Sequence, residues 1–114
     1  MADSAATLHE RAAEAFVRKV RERYGDAVET ILLYGSVARG EERGVNSDVD
    51  LLIVLSDDVD EAAVAEQIRD LAYDVELDAG VVLSLVVLSA SEYEHRSERP
   101  FLQHVQGDAK ILYE

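Results

Sequence analysis

Apolar residues Leu8, Ala12, Ala15, Phe16 and Val20 recur at the three- and four-residue spacing of one helix face. Thr7 followed by Glu10 is a capping-box signature, so the spacing predicts a first helix running to about Tyr24-Gly25. Val28 to Tyr34 reads as a buried strand closed by Gly35-Ser36, Glu41 to Asn46 as a polar turn, and about Asp48 to Leu55 as a second strand. Ser56-Asp57-Asp58 predicts a turn and a helix start. Val64, Ile68, Leu71, Ala72 and Val75 then mark one helical face up to about Asp78, with Gly80 placed to stop it. Val81 to Leu88 is almost wholly apolar and reads as a third, central strand covered on both sides. Ser89 and Glu92 form another capping-box pair, Pro100 fits the first turn of a last short helix, and Ile111-Leu112-Tyr113 reads as an edge strand.

This order predicts an α/β (α+β) fold, a small mixed sheet of three to four strands packed with helices. A chain of 114 residues has room for one core, so one domain over 1–114 is expected. No apolar run is long enough to span a membrane, and Met1-Ala2-Asp3-Ser4 lacks the basic start of a signal peptide, which predicts a cytoplasmic protein. The absence of cysteine excludes disulfides and thiolate metal sites. His9, His95 and His104 lack ligand spacing and read as surface polar residues.

A net charge of -13 argues against nonspecific nucleic-acid binding and a templated polymerase role, because phosphate contacts need a basic face. Lys19 and Lys110 are the only lysines, and acidic residues are spread over every segment. That balance resembles a protein of a high-salt, halophilic cytoplasm, where charge is screened. An ordinary acidic domain awaiting a basic partner has the same composition, which does not choose between them.

The candidate chemistry lies where the first two strands meet. Alternation along a strand puts Asp48 and Asp50 on one face and Val49 and Leu51 on the other. Two converging carboxylates are hard oxygen ligands suited to Mg²⁺, whose remaining positions go to water and substrate phosphates. Gly35 lets backbone approach a phosphate, Ser36 offers a hydroxyl and an amide, and Arg39 a planar cationic fork. Taken singly, an Asp-x-Asp is usually a polar strand entrance, a Gly-Ser a turn, and Arg39 is as readily a solvated loop residue. Their order, with an Arg-Gly between strand-like runs, favours the functional reading.

Leu33-Tyr34-Gly35-Ser36-Val37-Ala38-Arg39-Gly40 and Ser47-Asp48-Val49-Asp50-Leu51-Leu52-Ile53-Val54 resemble the minimal nucleotidyltransferases of the DNA polymerase beta superfamily, of the HEPN/MNT antitoxin type. The resemblance covers most of the chain. It implies a palm-like core and Mg²⁺-dependent transfer of a nucleoside monophosphate, AMP from ATP or its equivalent from another NTP, onto a hydroxyl. By that analogy Gly35, Ser36, Arg39 and Ser47 hold the nucleotide, while Asp48 and Asp50 are the catalytic carboxylates of a two-metal site. It further implies a HEPN-domain partner, with a tyrosine on that partner as acceptor and the chain acting as antitoxin.

One departure stands out. The family pattern places a third carboxylate on the next strand, where this chain offers Val82 or Ser84. Glu76 and Asp78 read instead as a solvated helix end. The alternative to an enzyme is therefore a catalytically weak binding module that neutralises its partner without chemistry. A less favoured third reading is a small-molecule nucleotidyltransferase of the aminoglycoside type, which lacks an acceptor-binding domain here. Tyr73, Tyr93, Phe101 and the apolar tail offer a homo-oligomer face, although such aromatics are more often core.

Overall fold

The computed structural model describes residues 7–40 and 48–114. Helix α1 (Leu8–Tyr24) starts on a complete capping box: the Thr7 hydroxyl accepts from the Glu10 N–H at 3.1 Å and the Glu10 carboxylate from the Thr7 N–H at 2.9 Å. Strand β1 (Val28–Tyr34) runs into a one-turn helix α2 (Gly35–Ala38), where the sequence reads only as the close of the strand at Gly35-Ser36. Strand β2 (Val49–Leu55) follows, with Asp48 just ahead of it. Helix α3 (Glu61–Ala79) begins at the N-cap Asp60, two residues after the expected turn, and stops where Gly80 adopts φ +73°. Strand β3 (Leu83–Ser89) leads through the Ser89–Glu92 capping box into α4 (Ala90–Glu94) and a 3₁₀ turn (Arg96–Glu98). Helix α5 (Pro100–Asp108), with proline in its first turn, and strand β4 (Lys110–Tyr113) complete the order.

The four strands form one mixed sheet in the order β3-β2-β1-β4. β1 is antiparallel to both its neighbours, whereas β2 and β3 are parallel and joined through α3. The mixed α/β architecture is the one expected, but β3 is an edge strand and not the central one. Its residues after Leu83 are only half covered, whereas Leu51 to Leu55 of β2 are all buried. An apolar run does not by itself distinguish an edge from a centre.

The two faces of the sheet are covered differently. On one, α1 and α3 pack Phe16, Val20, Ile68 and Leu71 against Ile31, Leu33, Leu51 and Ile53. On the other, α5 sets Leu102 and Val105 over Leu32 and Leu52, with Tyr93 of α4 packed beside them. Because side chains alternate, Tyr34 and Asp50 belong to this second, thinly covered face, one step along from Leu32 and Leu52.

Three further expectations are corrected. His9 is buried in the inner stripe of α1, with no hydrogen-bond partner for Nε2 among the described residues. Glu76 is no solvated helix end: its carboxylate accepts the Leu83 N–H at 2.8 Å, tying the end of α3 to the start of β3. Tyr73 and Phe101 are largely outside the core, and Tyr93 is only half buried. No helix among the described residues is long and apolar enough to cross a membrane.

Leu52 is the sheet's fully buried contribution to the smaller core. Leu52→Ala should lower the unfolding free energy by about 2–5 kcal/mol. In hydrogen exchange its effect should be greatest on α5, and an equal rise in α3 would show that the two cores are not separable.

Candidate active site

β1 ends and β2 begins at the same edge of the sheet, and their antiparallel register sets Tyr34 opposite Asp50. The next residue, Gly35, has φ +76°, a conformation L side chains rarely adopt. A second constraint is steric, since a Cβ built on Gly35 would collide with the Asp50 carboxylate. The glycine thus brings bare backbone beneath a carboxylate oxygen. From Gly35 the chain turns through α2, whose Val37 and Ala38 are buried in the larger core. The turn closes where the Arg39 N–H donates to the Gly35 carbonyl at 3.2 Å.

The electrostatics follow from this crowding. Burial raises the Asp50 carboxyl above its ordinary range, the negative charge of Asp48 raises it further, and Arg39 acts in the opposite direction. Burial, together with the charge of Asp50, also raises the Tyr34 phenol, which stays protonated at neutral pH. Gly35, Arg39, Asp48 and Asp50, four of the residues singled out from sequence, are therefore gathered at one strand edge. Ser36 follows Gly35 in the same turn. Ser47, with the expected turn from Glu41 to Asn46, lies outside the described residues.

The parallel register pairs Asp50 with Ser84, so a hydroxyl stands beside the second carboxylate on the same sheet face. Val82 precedes β3 and is half exposed, its carbonyl accepting the Val49 N–H at 2.8 Å. Of the two positions considered for a third carboxylate, Ser84 is the neighbour of Asp50. Among the described residues no group of three or more His, Cys, Asp or Glu side chains could hold a metal ion. Two further residues at this strand end have no site role in the sequence reading. Tyr34 was legible in principle, since pairing of the two strands across the Gly35 turn puts it opposite Asp50. Phe101, which meets Tyr34 from α5, reads in sequence only as a core or oligomer-face aromatic.

Comparison with known proteins agrees with the fold. The profile of the nucleotidyltransferase domain matches residues 13–105. A Methanocaldococcus jannaschii protein that carries the name protein adenylyltransferase is 31% identical over 104 residues, covering 91% of this chain and 97% of its own. Among solved structures, a toxin-antitoxin with AMP-PNP is 26% identical, with a TM-score of 0.59, covering 88% of this chain and 72% of that one. A minimal nucleotidyltransferase structure is also 26% identical, with a TM-score of 0.57, covering 95% and 98% of the two chains.

The raised Asp50 carboxyl has a consequence for stability. Its ionised form is disfavoured in the folded protein, so folding bears a cost above the raised pKa that disappears at pH low enough to protonate the group in folded and unfolded chains alike. In chelator-containing buffer Asp50→Asn should therefore raise Tm at pH 7, and the gain should shrink as the pH falls through the carboxylate range. A Tm unchanged or lowered at pH 7 would contradict the repulsion.

Proposed function

The chain belongs to the nucleotidyltransferase family, and on that premise we propose that it transfers a nucleoside monophosphate, AMP from ATP, to a hydroxyl on a partner protein. The observation that carries this reading is the seating of the Asp50 carboxylate on Gly35, with Asp48 and Arg39 in electrostatic reach. In it, the bare backbone at Gly35, the Ser36 hydroxyl and amide, and the Arg39 guanidinium bind the phosphates, with Ser47 contributing from the loop.

The donor set fits Mg²⁺. Two carboxylates, one of them raised by burial and by its neighbour, form a site in which a divalent cation relieves the repulsion. Asp48 and Asp50 would hold it, and when bound it would supply positive charge against the triphosphate and the departing pyrophosphate. The chain's own part is to position the α-phosphorus for attack by the acceptor oxygen in line with the pyrophosphate. Ser84 stands where a third carboxylate would accept the acceptor's proton, and a hydroxyl does so poorly. Transfer is accordingly slow unless a partner or the substrate completes the site.

The acceptor is a tyrosine of a HEPN-type toxin, and the modification is the antitoxin activity. Support comes from the relative named protein adenylyltransferase and from the toxin-antitoxin neighbour with AMP-PNP. A second reading, a module that neutralises the partner by binding alone, is favoured by one observation, the hydroxyl at Ser84.

The deciding experiment incubates the chain with Mg-ATP and the protein encoded beside it, then measures both intact masses. A nucleotidyl adduct on the partner should form and should be lost in the Asp48→Asn/Asp50→Asn double variant. A stable complex without adduct would favour neutralisation by binding. Ser84→Asp should raise the transfer rate by about tenfold or more, within the range of a positioned proton acceptor. An unchanged rate would show that the missing carboxylate is not limiting.

A further inference from the structure

Phe101 is a large aromatic residue left 48% exposed, although it sits in the first turn of a helix that packs on the sheet. It is not needed to anchor that helix, because Leu102 and Val105 fill the core beneath α5. Its ring instead meets Tyr34, with centroids 5.9 Å apart and planes 83° apart. Tyr34 in turn is the register partner of Asp50 on the same face of the sheet. One aromatic ring thus separates Phe101 from the carboxylate pair, and α5 also packs against the Gly35–Ala38 turn.

We infer that Phe101, held by Tyr34, is the stacking platform for the base of the bound nucleotide and gives the site a preference for purines. The inference rests on the nucleotide-site reading above and adds to it the place of the base. A perpendicular aromatic pair satisfies the ring quadrupoles while leaving ring faces open, and an exposed open face beside a charged site suits a planar base. The proposed phosphate-binding groups at Gly35 and Arg39, and a half-exposed ring in contact with the register partner of Asp50, offer partners to the two ends of a nucleoside triphosphate. Leu102 and Val105 fix α5, so the platform exists before the ligand arrives and little ordering opposes stacking.

Calorimetric titration with Mg-ATP, Mg-CTP and Mg-tripolyphosphate separates base from phosphate. Phe101→Ala should weaken Mg-ATP about ten- to a hundredfold and Mg-CTP less, leaving Mg-tripolyphosphate within about twofold. Phe101→Trp should retain Mg-ATP affinity, and thermal unfolding of each variant checks that α5 stays docked. Unchanged Mg-ATP affinity in Phe101→Ala, with tripolyphosphate still bound, overturns this inference alone. An equal loss for ATP and tripolyphosphate also overturns it, because the effect would then lie on the phosphates. A wild-type protein that binds neither probe overturns the nucleotide-site reading and this inference with it.

Discussion

The contact between Asp50 and Gly35 constrains the rest of the site. The carboxylate occupies the space where any other residue at position 35 would place its Cβ, so strand end and turn are fitted to each other atom against atom. That fit requires the antiparallel register of β1 and β2, which in turn rests on the buried run from Leu51 to Leu55. A slip of one residue would turn Asp50 into the larger core and Leu51 out of it. The core thus holds the site in place.

The uneven cover of the sheet explains where chemistry is available. α1 and α3 close one face, while the short α5, with Tyr93 of α4, covers the other chiefly over Leu32 and Leu52. The row beyond, from Tyr34 through Asp50 to Ser84, is left partly open at the sheet edge. A charge of -13 is an unfavourable setting for a triphosphate, and in the proposed site Arg39 and a cation on the carboxylates would offset it. Salt screens the long-range repulsion while leaving those short contacts largely intact.

Much of this was legible in the sequence because it rests on local rules. The caps at Thr7 and Ser89, the stop at Gly80 and the proline start of α5 are each set by neighbouring residues, and all appear as expected. The strand-end encounter of Gly35 with Asp50 was also legible, since two apolar runs joined by a polar turn place those residues together. What depends on pairing at long range was not. The run Val81 to Leu88 reads equally as edge or centre, and only the register against β2 selects Ser84 over Val82 as the neighbour of Asp50. His9 and Glu76 mislead because polarity suggests exposure, whereas one is buried with the helix stripe and the other receives a strand's first amide. Phe101 meets Tyr34 only through the docking of α5, which no local spacing encodes.

In the proposed site Asp50 and Gly35 act as one unit in binding a metal-nucleotide. Titrating Mg-ATP into Gly35→Ala tests it most directly, with thermal unfolding to establish that the variant is folded. The expected result is a folded protein whose Mg-ATP affinity falls at least about tenfold, because the added methyl displaces the carboxylate and strains a positive-φ turn. Wild-type affinity in the folded variant would contradict it.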